Sequence, residues 1–303
     1  MASHLLLYHA FDYRGALMKR DFRDAVFGVL HGLMKADPSI MILCNDAAAW
    51  KLDEIRQEFP ERAINVGVAE QNMMSLAAGL ASAGKKVFVY GIIAHLMRGW
   101  EQIKVGICIP NLPVTILGMG AGLSSGLDGP THHAVEDVAL MRVLANMTIY
   151  NPADCVCAEA CVRMAYEAGT PHYIRLDKDP ADDLYRPTYD FSRGYAVFGD
   201  ERDDAIVATG IETQRARRKY ASCVIDVFRL KPAPDVWQFA LSTCEVWDEH
   251  HPHGGLWSMV AEQACLARPK TLQDEFILGP AKREPVTGEL AWVDDGYGMP
   301  FRG

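Results

Sequence analysis

The sequence predicts an α/β protein built from two doubly wound, mostly parallel-sheet domains. Three observations carry that prediction. Short apolar runs rich in β-branched residues alternate with amphipathic stretches along the first 176 residues, the rhythm of a parallel sheet covered on both faces. Residues 177–193 break the rhythm with Pro180, Pro187 and several aspartates, and read as a linker. A shorter alternation then resumes. The expected division is a first domain at 1–178, a linker at 179–193 and a second domain at 194–303. A chain of 303 residues is long enough for about two domains, and half its residues are hydrophobic, enough for a sizeable core.

The elements follow in order. A helix is expected over 21–35 and a strand over 40–44. Glu70 opens a helix that runs to 83, most clearly amphipathic from Ser75, and a strand follows at 86–90. A helix over 95–107 leads to a strand at 114–118, one over 135–144 to a strand at 147–150, and one over 155–168 to a strand at 173–175. The second domain holds strands at 205–208, 224–228 and 245–247. Its stretch between Gly210 and Val224 is short, which trims a helix. A turn at 248–255 opens a last helix reaching 267.

Composition excludes several classes. A formal net charge of −9 argues against a nucleic-acid or anionic-membrane surface. Arg215, Arg217, Arg218 and Lys219 read as one solvated helix face. The first apolar run, Leu5-Leu6-Leu7, is too short for a signal peptide or a membrane span. Eight cysteines without a CxxC pair read as buried thiols of a cytoplasmic protein, not as disulfides or a zinc site.

Function in parallel sheets collects at loops beyond the carboxyl ends of strands. The loop at 119–131 is such a place, and Gly120, Gly122, Gly126 and Gly129 let its backbone approach a ligand. Two segments carry chemistry. In Asn65-Val66-Gly67-Val68-Ala69-Glu70-Gln71-Asn72-Met73-Met74, one acidic side chain stands between an apolar run and a helix. A carboxyl group there loses water, which favours its neutral, proton-donating form. Catalysis that moves a proton to and from a heterocycle needs such a group. The plainer alternative is a helix-start Glu that complements the dipole. In Gly126-Leu127-Asp128-Gly129-Pro130-Thr131-His132-His133-Ala134-Val135-Glu136-Asp137, turn residues surround Asp128, His132 and His133. Imidazole can donate or accept near neutrality. The plainer alternatives are a turn aspartate and histidines satisfied by backbone. His250, His251 and His253 place three imidazoles within four positions, a pattern that can bind zinc.

These two segments in this order, with Asn151-Pro152-Ala153-Asp154 after them, resemble the pyrimidine-binding half of the transketolase family. The resemblance runs from about Leu17 to the end of the chain. It implies a thiamine diphosphate-binding pyrimidine domain followed by a transketolase C-terminal-like domain. It also implies transfer of a two-carbon ketol unit between sugar-like substrates. Glu70 takes the role of the acid that hydrogen-bonds the pyrimidine N1′ and activates the cofactor. Asp128 contacts a donor hydroxyl, His132 helps hold the two-carbon fragment, and His133 stands beside them. Asp248-Glu249-His250 with Gly254-Gly255 resembles the family's acidic-acidic-His turn, which favours that reading over zinc.

Other positions depart from the family. Ile92 and His95 stand where aromatics usually clasp the pyrimidine ring: either aliphatic packing replaces stacking, at a loss of about 1 kcal/mol, or the cofactor sits differently. The family's phosphate-groove His, Ser and Arg align near Gly120, Trp50 and Lys178, while Arg20 keeps one basic position. Fewer forked donors weaken bidentate phosphate recognition, so the implied substrate is other than the common sugar phosphates, a modified sugar or an intermediate of specialised metabolism. The family's Gly-Asp-Gly motif with a downstream Asn is missing, and Phe198-Gly199-Asp200-Glu201 does not lead into it. The resemblance therefore implies one subunit of a split enzyme. A separate chain supplies the diphosphate and Mg2+ site, no metal ligands come from this chain, and the assembly is an α2β2 heterotetramer. Two alternatives stay open. One is the beta subunit of a 2-oxo-acid dehydrogenase or decarboxylating synthase, although Asn72 and the turn from Asp128 to His133 suit transketolases better. The other is a non-catalytic scaffold subunit.

Overall fold

The computed structural model describes residues 19–199, 205–219, 223–234 and 245–247. The expected turn at 248–255, its three histidines, the helix to 267 and Asp200 lie outside them. A seven-stranded sheet is built from β1 (Ile40–Cys44), β2 (Ala63–Asn65), β3 (Lys86–Ile92), β4 (Val114–Met119), β5 (Thr148–Tyr150), β6 (His172–Leu176) and β10 (Arg229–Lys231), in the order β10-β5-β6-β4-β3-β1-β2. All neighbours run parallel except β10, which lies antiparallel on β5. β1, β4 and β6 are buried at every position, as strands covered on both faces must be.

Helices cover each face. α1 (Phe22–Ala36) starts where the Asp21 side chain accepts the Arg23 N–H at 2.8 Å, which satisfies one of the donors a helix start leaves open. It buries Phe22, Val26, Phe27, Leu30 and Met34, and packs with α2 (Trp50–Glu58) and α7 (Cys155–Ala168) over one face. α7 begins on Asp154, which accepts the Cys157 N–H at 2.7 Å, and ends at Gly169 in the left-handed region, φ +62°, a common helix stop. The other face carries α3 (Glu70–Ser82), α6 (Asp137–Arg142) and a helical segment from Ile93 to Cys108. That segment is α4 (Ile93–Leu96), a 3-10 turn, α5 (Trp100–Gln102) and a π turn over Ile103–Cys108. It is thus longer and less regular than the helix expected at 95–107. Gly99 brings it close to α3. A Cβ there would stand 2.8 Å from Met74 Cγ and 3.3 Å from the Glu70 carbonyl oxygen.

A second sheet has the order β11-β8-β9-β7, from β7 (Ala196–Gly199), β8 (Ile206–Ala208), β9 (Cys223–Asp226) and β11 (Glu245–Trp247). It is parallel except for β7 on β9. α8 (Ile211–Lys219) fills the stretch expected to be trimmed. The two sheets are tied together. Asn151 Nδ2 donates to Thr209 Oγ1 at 3.2 Å, and Gln214 Nε2 to the Ala153 carbonyl at 2.9 Å. Residues 179–193, expected as a linker, carry buried Ala181, Tyr185 and Phe191, and Tyr185 packs on Phe191, Phe198 and Phe228. Cys44, Cys108, Cys155, Cys157, Cys161 and Cys223 are free and buried. Among the described residues no helix is long and apolar enough to cross a membrane.

Candidate active site

Strand order changes direction between β1 and β3, since β2 lies on one side of β1 and β3 on the other. Such switch points open a crevice at the carboxyl ends of the strands. Asn45 follows β1, Ile92 ends β3, and Glu70 begins α3 after β2. All three stand at this crevice.

Glu70 is buried, its side chain 4% exposed. Asn45 Nδ2 donates to Oε1 at 2.9 Å, and Arg98 Nη1 lies 3.4 Å from Oε2. Burial from water raises the carboxyl pKa, but the residue's own N–H, the Asn45 amide and the Arg98 guanidinium outweigh it and hold it below the usual carboxylate range. The expectation of a neutral Glu70 is therefore corrected for this chain. Two donors on a buried carboxyl favour the charged form over desolvation.

The glycine loop folds over the same edge. It turns at Gly120 and Gly129, with φ of +92° and +76°. The Ala134 carbonyl is held by the Gly122 N–H at 3.1 Å and by Arg175 Nη2 at 3.0 Å. Arg175 in turn pairs with Asp137 at 2.8 Å, both side chains fully buried. The rings of His95 and His132 meet edge-on, centroids 4.9 Å apart, and Thr131 Oγ1 lies 2.9 Å from His132 Nδ1. Burial first, then His132, lowers the His95 pKa. His133 instead reaches the Gly126 carbonyl at 3.1 Å.

Asp128 is exposed and pairs with Lys178 at 2.8 Å. The ammonium holds its carboxyl below the usual range. Of the sequence-predicted residues, Glu70, Ile92, His95 and His132 thus gather around one edge, and Asp128 and Lys178 bond each other. Arg20 is engaged elsewhere, by Glu159 and Asp183 beside α7.

Three residues at this edge escaped sequence reasoning. Asn45 and Arg98 contact Glu70 from positions 25 and 28 residues away. Asp46 adopts φ +65°, held by reciprocal bonds with Asn65 of 3.0 and 3.1 Å. Strained backbone of this kind gathers at functional sites. The one sequence signal for Asn45 and Asp46 is their place directly after a wholly apolar strand.

Comparison with known proteins identifies the family. Residues 18–181 match the family described as transketolase, pyrimidine binding domain. A putative transketolase C-terminal section of Methanocaldococcus jannaschii is 32% identical over 220 residues, 68% of this chain and 69% of the relative. A 6-deoxy-6-sulfo-D-fructose transketolase subunit of a Clostridium species is 33% identical over 259 residues, 80% of each chain. A subunit of the apulose-4-phosphate transketolase of Actinobacillus succinogenes is 30% identical over 237 residues, 74% of this chain and 76% of the relative. Among solved structures, a split-gene transketolase in an inactive beta4 tetramer superposes with a TM-score of 0.73 at 34% identity, over 82% of this chain and 85% of that one.

Proposed function

This chain belongs to the transketolase family as a subunit of a split transketolase, and from that premise we propose that it carries the pyrimidine side of a thiamine diphosphate site completed by a partner chain. The partner holds the diphosphate and Mg2+, the pair assembles as an α2β2 heterotetramer, and the enzyme works in the cytoplasm on sugar-like substrates. The observation that carries the reading is Glu70: a buried carboxylate at a strand switch point, with one oxygen on Asn45 and the other on an exposed arginine.

The residues suit the coenzyme's pyrimidine end. Asn45 Oδ1 is buried without a hydrogen-bond partner, Ile92 and His95 are half-buried at the end of β3, and Arg98, 61% exposed, can leave Glu70. Among the described residues no three of His, Cys, Asp and Glu gather to hold a metal ion. When bound, thiamine diphosphate supplies the carbanion that breaks and remakes a carbon–carbon bond next to a ketose carbonyl. Glu70 holds and returns a proton at the heterocycle nitrogen. Ile92 and His95 would pack against the ring. His132, backed by Thr131 and His95, donates to or accepts from substrate oxygens. Asp128 and Lys178 open their ion pair to a substrate hydroxyl or anionic end, and His133 fixes the turn that carries them. Arg20 already holds two carboxylates, Glu159 and Asp183, and would meet a substrate anion only by leaving them.

The substrate we place among modified sugars. Trp50, the first residue of α2, is 81% exposed near where the family has a phosphate-binding serine, and two of the relatives above are named for apulose-4-phosphate and a sulfo-sugar. The test is titration calorimetry of thiamine diphosphate into the reconstituted pair, with turnover measured alongside. Saturable, magnesium-dependent binding is expected, and Glu70→Ala should abolish turnover with assembly intact. Near-full activity in that variant would remove Glu70 from its role. Absence of binding would leave a scaffold subunit.

A further inference from the structure

The closest contact to the Glu70 carboxyl comes from Asn45, which no motif singles out. Asn45 is 6% exposed. Its amide sits in a slot that a glycine leaves open, since a Cβ on Gly91 would stand 2.5 Å from Oδ1 and 2.8 Å from Leu96 Cδ2. Packed this way, the amide cannot swing toward solvent. Its Nδ2 donates to Glu70 Oε1 at 2.9 Å, while Oδ1 has no partner. Glu70 Oε2 meets a long 3.4 Å contact from the exposed Arg98, and the residue's own N–H also supports the carboxyl.

The two carboxyl oxygens are thus unequal. A carboxyl with both oxygens free can turn about its last bond and present either one. A buried donor fixed on Oε1 removes that freedom, and such pre-set geometry is what proton transfer between heavy atoms requires. We propose that Asn45 is a positioning residue for Glu70: it captures Oε1 and so assigns Oε2 as the oxygen that exchanges a proton with the incoming heterocycle, in place of Arg98. This rests on the reading of Glu70 as the cofactor-facing acid. Two charged or titratable groups face Glu70, Arg98 and His95, both from the helical segment after β3. From β1 comes only the neutral Asn45. In the free chain the carboxyl is therefore an acceptor at both oxygens and ionised. With a heterocycle nitrogen in the place of Arg98, Oε2 would be the oxygen that carries the exchanged proton, and Asn45 would continue to donate to Oε1.

The experiment follows the Glu70 carboxyl carbon by 13C NMR in the full chain, assigned by its loss in Glu70→Gln. The wild-type signal should titrate below the ordinary glutamate range. Asn45→Ala should raise that midpoint by about one pH unit, and Asn45→Asp by more, because a second carboxylate then shares the site. Asn45→Ser serves as a further variant if Asn45→Ala does not fold. In the enzyme reassembled with its partner, Asn45→Ala should lower kcat by about ten- to a hundredfold at unchanged sugar KM. It should also move the acidic limb of the kcat–pH profile, which a merely structural role would leave in place. An unmoved Glu70 midpoint in both Asn45→Ala and Asn45→Asp overturns the proposal. So does wild-type kcat in Asn45→Ala while Glu70 is essential. Full activity in Glu70→Gln is a different result, and it would instead remove the reading on which the proposal rests.

Discussion

Replacing Arg175 by methionine tests how the glycine loop is anchored. Arg175 and Asp137 are both fully buried, Nε to Oδ2 at 2.8 Å, and the Tyr173 hydroxyl adds a 2.6 Å bond to the same Asp137 oxygen. At an effective dielectric near 20, two charges this close attract by about 6 kcal/mol. The water stripped from both ions cancels most of that, so the intact pair contributes little net stability. Removing one member is another matter, because the Asp137 charge stays buried without its cation. The expected cost of Arg175→Met is about 3–5 kcal/mol, a large part of the roughly 5–15 kcal/mol that holds a domain folded. The double variant Arg175→Met/Asp137→Leu removes the stranded charge and should recover most of the loss. The Ala134 carbonyl keeps its Gly122 donor at 3.1 Å in either variant, so no carbonyl is orphaned. Urea denaturation of the four members of this double-mutant cycle measures the coupling. A single variant that costs less than about 1 kcal/mol, or a double variant no more stable than the single, refutes the reasoning. The double variant should also lose activity while regaining stability, because the loop that bears His132 loses its Arg175 tie.

Two further outcomes follow from the site. The Glu70 carboxyl is held low in the folded chain, so its contribution to stability is fully present above the ordinary glutamate value and is lost as pH falls through the folded value. Thermal unfolding from pH 7 to pH 3 should therefore fall less steeply for Glu70→Gln than for the wild type, and identical slopes would show that Glu70 is not held as a carboxylate. Lys178→Met should raise the sugar KM of the assembled enzyme and leave thermal stability unchanged, since its pair with Asp128 is exposed to solvent. A lowered melting temperature at unchanged KM would make the pair structural.

The parallel sheet was legible because its central strands are short runs rich in apolar and β-branched residues, separated by long amphipathic stretches. α1 and α7 also announce themselves, each starting on an aspartate cap. α2 was not legible: Trp50–Glu58 buries only Leu52 and Ile55, and so short and polar a stretch has little periodicity. β10 has one apolar residue between Arg229 and Lys231, and β2, Ala63–Asn65, has only two apolar residues, so neither stands out as an apolar run. The position of Glu70 at the head of a helix was visible in its own segment. Its charge state was not, because that depends on Asn45 and Arg98, which local sequence does not connect to it. Arg20 looked like a free basic position for the same reason, since Glu159 and Asp183 reach it only through the fold.

The strand Arg229–Lys231 crosses back from the second unit to seal one margin of the first unit's sheet. Anyone who trims this polypeptide after residue 193 to obtain the coenzyme-binding piece would strip Thr148–Tyr150 of that neighbour. Bare amide and carbonyl groups along such a margin invite identical fragments to stack on one another. A shortened version should thus precipitate during purification, and adding back a peptide spanning 223–234 should keep it in solution.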